Sequence, residues 1–173
     1  MMTNRRIWIP LAAATLALAA FSARAQETSF SATLTGAAQL PEPVNTKAEG
    51  VLKLVASADG KKLNYTLTVT NIKNPAAADM HLGPPIANGP LVARLFPTHG
   101  AAPKKGDFSG VLVEGKLDAS DLIGPLAGSA LSDLIEEIRA GNAYVNVHTN
   151  DGVDPPNSGP GDYRLGEIRG QIQ

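Results

Sequence analysis

Between Leu63 and Asn71 the chain reads LNYTLTVTN, with Leu63, Tyr65, Leu67 and Val69 at alternate positions and Asn64, Thr66, Thr68 and Thr70 between them. A period of two sends successive side chains to opposite sides of a strand, so this segment can bury one face and wet the other. FSATLTG repeats the pattern, setting Phe30, Ala32 and Leu34 against Ser31, Thr33 and Thr35. GVLKLVAS, ADMHL, LVARLF, FSGVLVEG, AYVNVHT and GEIRGQI are similar runs, and Gly, Pro, Asn and Asp cluster between them. About eight short strands separated by turn residues predict an all-β fold, a Greek-key sandwich or barrel.

One segment breaks the period. Leu131, Leu134, Ile135 and Ile138 recur at helical spacing, Ser129 or Ser132 is available to cap the start, and Gly141 to end the turn. A single short helix over residues 131–140 is therefore expected, lying on the sheet. Two connections stand out as functional or mobile: PTHGAAPKKG, and NDGVDPPNSGPGDYRLG, which is too long and too rich in Pro and Gly for a simple hairpin. Its acidic residues Asp151, Asp154 and Asp162 lack the spacing of a calcium loop and read as solvated.

The first residues limit where such a fold would work. Arg5 and Arg6 precede the apolar run IWIPLAAATLALAAF, and SARAQ follows, which is the order of a secretory signal with cleavage after Ala25. The division expected is a signal peptide over residues 1–25 and one domain over 26–173, in the periplasm or secreted. The apolar run is shorter than the roughly 20 residues that span a bilayer, so no membrane span is expected after cleavage. Removing Arg5, Arg6 and Arg24 from the 15 basic residues leaves 12 against 16 acidic ones, which argues against nucleic acid as a partner. Export would permit disulfides, yet the chain has no cysteine, so packing or a bound ligand must stabilise it.

Strand parity then sorts the polar residues. In ADMHL the apolar set is Ala78, Met80 and Leu82, which puts Asp79 and His81 together on the other face. In AYVNVHT the apolar set is Ala143, Val145 and Val147, leaving Tyr144, Asn146 and His148 opposite; in GEIRGQI, Ile168 and Ile172 leave Glu167, Arg169 and Gln171 outside. For Arg169 beside Glu167 the ordinary expectation is an ion pair at a strand end rather than an anion site. No Cys nucleophile, G-x-S-x-G or phosphate-binding glycine loop is present.

GAAQLPEPVNTKAEG, ADMHLGPPIANGPLVARLF, GNAYVNVHT and GEIRGQI, in that order, resemble the successive signatures of the CHRD domain, found in chordin and in many exported bacterial proteins. The resemblance runs from Phe30 to Ile172. It implies an immunoglobulin-like β-barrel distantly similar to copper/zinc superoxide dismutase. In those dismutases an H-x-H pair on one strand and a histidine on a later strand hold copper, and an arginine near the C-terminus steers the anion. The family's H-x-H-x-G pattern meets Asp79-Met80-His81-Leu82-Gly83 in this chain, so His81 matches the second histidine and Asp79 replaces the first. By the same resemblance His148 corresponds to the later ligand and Arg169 to the arginine.

Only His81, His99 and His148 are available, too few imidazoles for a copper/zinc pair, so no dismutase or other enzyme is expected. Two readings from different classes follow. The chain is a non-catalytic interaction module that binds another protein or an envelope polymer, or it is a periplasmic metal-binding protein. In the second reading His81 and His148 ligate copper or zinc, and Asp79, His99 or Met80 supplies a third ligand, Met80 being the weakest because parity turns it inward.

Overall fold

The computed structural model describes residues 28–97 and 102–173. The expected signal peptide, residues 1–25, and the candidate ligand His99 lie outside the described residues. Each of the eight alternating runs is a strand: β1 (Thr28–Thr35), β2 (Glu49–Ala56), β3 (Leu63–Lys73), β4 (Pro75–Leu82), β5 (Leu91–Phe96), β6 (Asp107–Leu117), β7 (Ala143–Thr149) and β8 (Ile168–Gln171). They form one antiparallel sheet in the order β5-β4-β7-β8-β1-β2-β3-β6, which curls into a nearly closed barrel. Three neighbouring pairs, β4 with β7, β8 with β1 and β3 with β6, are not consecutive in the chain and are not simple hairpins. The Tyr65 hydroxyl on β3 donates to the Leu95 carbonyl on β5 at 3.1 Å and helps tie the two ends of the sheet together.

Inward residues of every strand meet in one core. Leu34, Leu52, Leu67, Met80, Val145 and Ile168 are fully buried, each removing roughly 2 kcal/mol worth of apolar surface from water. Met80 belongs to this core, as parity expects.

The helix, α1, is Leu131–Arg139, and it buries Leu131, Leu134, Ile135 and Ile138. Neither Ser129 nor Ser132 caps it. The N-cap position is Ala130, which has no side-chain oxygen, and the Asp133 carboxylate instead accepts from the Ala130 N–H at 3.2 Å. That carboxylate also sits in the first turn, where the helix dipole favours negative charge. Gly141, at φ +70°, turns the chain out of α1 and into β7. Among the described residues no helix is long and apolar enough to cross a membrane.

Register between β4, β7 and β8 sets up the polar face. Asp79 lies opposite Asn146, and Asn146 opposite Arg169; His81 lies opposite Tyr144, and Tyr144 opposite Gln171; Ala77 lies opposite His148. On the other side of β4, Arg94 of β5 stands opposite Asp79.

This outward face is not wet. Asn146, Glu167 and Arg169 are buried, as is Asp162 in the loop that was expected to be solvated. Two connections fold over the strands. Residues 83–90 cover the end near His81, and residues 150–166 cover the end near His148. The expected ion pair between Glu167 and Arg169 does not form. Glu167 accepts from the Thr46 and Thr149 hydroxyls at 2.6 and 2.7 Å and from the Gly161 N–H at 2.9 Å. Arg169 lies 3.9 Å over the Tyr144 ring and donates to the carbonyls of Pro84, Pro85 and Ala87 at 3.2–3.3 Å. A guanidinium held by three carbonyls beneath a loop cannot steer anions, so the role that the dismutase resemblance implies for Arg169 does not fit its position.

Candidate metal centre

The three polar residues whose fate the strands leave open come together. Asp79, His81 and His148 each present one ligand atom, and these atoms all lie within 4.8 Å of one another. Asp79 and His81 share one face of β4 because they are two residues apart, and His148 reaches them diagonally from β7 because its cross-strand partner is Ala77. Of the third ligands considered, Asp79 is thus in the cluster, Met80 is in the core and His99 is outside the described residues.

Each imidazole is tied back by the covering loop on its side. His81 Nδ1 lies 3.1 Å from the Gly89 carbonyl, and His148 Nδ1 lies 3.0 Å from the Arg164 carbonyl. A carbonyl can only accept, so Nδ1 carries the proton in both rings and Nε2 is left with a bare lone pair. A histidine oriented through its second nitrogen by a backbone carbonyl is the usual support of a metal ligand. His81 is further fixed by stacking on Tyr144, with centroids 5.0 Å apart and planes 10° apart. The Tyr144 hydroxyl in turn accepts from the Gly89 N–H at 3.1 Å.

The imidazole nitrogens turned toward the cluster, and one oxygen of Asp79, make no hydrogen bond among the described residues. His81 Nε2, His148 Nε2 and Asp79 Oδ1 are buried and without a hydrogen bond. Ion-pair contacts to the carboxylate are long, 3.6 Å from Arg94 Nη1 to Oδ1 and 3.6 Å from His148 Nε2 to Oδ2. Buried polar atoms left unpaired are costly, so the two bare Nε2 lone pairs beside the Asp79 carboxylate fit a group that accepts lone pairs. Burial raises the Asp79 carboxyl above its ordinary range, against the pull of His148, Arg94 and His81. Burial also lowers the His81 imidazole, although the Gly89 contact opposes it. Both directions disfavour charge in the cluster by itself, and a dication would compensate the carboxylate while using the neutral imidazole.

Two imidazole nitrogens and one carboxylate oxygen match an open zinc site or a copper(II) site, with one position left for water or another ligand. A shallow pocket of about 300 Å³, floored by Ala76 and Ala77 and edged by Arg164, opens onto Asp79 and His148.

Parity did not show what supports these ligands. Gly89 and Gly166 are the least visible parts. A Cβ on Gly89 would meet the Leu82 carbonyl, and one on Gly166, at φ +125°, would meet the Asn146 amide. Each glycine lets a covering loop lie against the strands. The only hint in the sequence was the length of the second loop and its Pro/Gly content.

An all-β barrel carrying a partly buried, loop-covered Asp/His cluster on its outer face is the class that fold and site define. The model of the CHRD domain matches residues 30–156, and the chain belongs to the CHRD domain family. The match contains Asp79, His81 and His148, but it ends inside the second covering loop, so β8, Glu167 and Arg169 lie past it. No curated protein matches the chain.

Proposed function

We propose that this chain is an exported, non-catalytic CHRD-domain protein that binds one copper(II) or zinc(II) ion through His81 Nε2, His148 Nε2 and Asp79. The observation that carries the reading is the pair of buried, unpartnered Nε2 atoms on imidazoles already oriented through Nδ1, in a cluster whose ligand atoms, one each from Asp79, His81 and His148, all lie within 4.8 Å of one another. The donor set excludes a soft site: the chain has no cysteine, and Met80 is in the core on the opposite face of β4. Nitrogen and oxygen ligands suit borderline dications rather than thiolate-loving ions. With two imidazoles instead of a larger set, the site has no means of building the two-metal arrangement of a dismutase. Export rests on the Arg5/Arg6, apolar and A-R-A pattern of the first residues.

Calorimetric titration with copper(II) and with zinc(II) tests the site. Wild type should bind one equivalent saturably, and His81→Ala and His148→Ala should each weaken binding by about a hundredfold or more. An unchanged isotherm in either variant removes that residue from the site, and no binding by wild type ends the proposal. Mass spectrometry of the mature protein should find Gln26 at its N-terminus; a soluble chain that retains Met1 would contradict export.

A further inference from the structure

Away from the metal cluster, the sheet loses its regularity at the far end of β3. Its register with β6 runs Val69 to Gly110 and resumes only at Ile72 to Phe108. Asn71, at φ 53°, sits in the gap and gives its N–H to the Ser109 hydroxyl at 2.9 Å. The bulge opens a cavity of about 620 Å³, within the roughly 300–1,000 Å³ that small-ligand sites occupy.

Two contacts hold parts of its wall in place. Thr46 is anchored to buried Glu167 at 2.6 Å and also accepts from the Ala48 N–H at 3.1 Å, which holds Asn45 and Lys47 at the rim. Gly161 packs so closely on the Lys73 stem that a Cβ there would lie 2.9 Å from the lysine Cβ. That contact restrains Lys73 along the wall.

Charge is concentrated here. Lys47 and Lys73 line the cavity, and the Lys104 ammonium lies 4.9 Å from the centre of the Phe108 ring, itself part of the lining. None of these lysines takes part in an ion pair among the described residues, and Asp107 is the only acidic residue in the wall. In a chain of net charge −1, this is a local positive site whose ammoniums outnumber its one carboxylate, Asp107. Beside the ammoniums stand the neutral hydrogen-bonding groups Asn45, Asn71 and Ser109, and one half-buried aromatic ring.

We propose that this cavity binds an acidic saccharide, a uronate-bearing segment of a glycan polymer. Lys47 and Lys73 take its carboxylates, the amides and Ser109 take its hydroxyls, and Phe108 packs against the apolar face of a sugar ring. A simple anion would use the ammoniums alone and leave the amides and the ring without a role. The site is independent of the metal cluster and does not need it filled.

Calorimetry with an alginate oligosaccharide, on protein purified from cells expressing the full sequence, tests this. Wild type should bind saturably, and raising salt to about 0.5 M should weaken binding strongly. The Lys47→Gln/Lys73→Gln double variant should bind at least about tenfold more weakly, and Phe108→Leu about fivefold more weakly, on the scale of a lost aromatic contact. Both lysines are exposed, so the double variant should melt with wild type, which shows that the fold is intact. A neutral glucan of the same length should not bind. Equal affinity in the double variant, equal binding of citrate, binding of the neutral glucan, or no binding of alginate by wild type would each overturn the proposal.

Discussion

Strands β1, β2 and β3 and strands β4, β7 and β8 are written in the same alternating code, yet they end in different surroundings. In β2 burial alternates residue by residue, and Val51 and Lys53 face water while Leu52 and Leu54 fill the core. In β7 six of the seven residues are buried, the polar Asn146 among them, and only His148 keeps partial exposure. The inward face is alike in both halves. What differs is whether loops cover the outward one. A covered polar face must satisfy its own hydrogen bonds, and this one does so for the most part through Glu167, Arg169, Asn146 and the loop carbonyls. Asp79 Oδ1 and the Nε2 atoms of His81 and His148 are left without a hydrogen bond, as are Asp162 Oδ1 and the Nε atoms of Arg164 and Arg169, and the site is built from the lone-pair donors on Asp79, His81 and His148.

Substitutions on each face can break the comparison. The largest effect is expected on the shared inward face: Val145→Asp places an unpaired charge in the core and should cost at least about 4 kcal/mol, enough to unfold the chain in thermal denaturation. Native-like melting would mean that the parity of β7 is reversed. Next comes the covered outward face, where Arg169→Ala removes the donors to the 83–90 carbonyls and leaves a space over Tyr144. A loss of about 3 kcal/mol is expected by chemical denaturation, and a neutral result would show that residues 83–90 are not held from beneath. The same change on the open half, Thr33→Ala, should stay within about 0.5 kcal/mol. If Thr33 proved as costly as Arg169, the two halves would not differ.

A smaller effect concerns the ion. Arg94 is exposed and pairs with the Asp79 carboxylate that the metal would use, so the guanidinium and a dication compete for one group. Arg94→Gln should tighten zinc binding by about threefold to tenfold, with the gain shrinking as salt rises. Weaker binding in the variant would show that Arg94 supports the site.

Much of the fold was legible because its signals are local. Every strand run carried a period of two, and Leu131, Leu134, Ile135 and Ile138 carried the helical one, so the eight strands and α1 could be read directly. The same parity put Asp79 and His81 on one face and His148 on the matching face of another run. Pairing of β4 with β7 is a long-range choice that no local pattern announces, and it decides whether those residues meet. Burial of Glu167 and Arg169 was misread because alternation tells which side a residue faces, not whether a loop lies over that side. The cap of α1 was misread for a related reason: Asp133 satisfies the helix start from inside the first turn, so no serine was needed. Phe108 and Asn71 depend on a register shift, which alternation does not reveal.

X-ray absorption of the zinc-loaded protein tests the central claim most directly, because it reports the atoms around the ion. Zinc should show nitrogen and oxygen neighbours at about 2.0–2.2 Å, with the multiple scattering of two imidazoles and no sulfur. His148→Ala should remove one imidazole from that signature. A first shell of oxygen alone, a sulfur neighbour, or a spectrum that His148→Ala leaves unchanged would contradict a centre built from Asp79, His81 and His148.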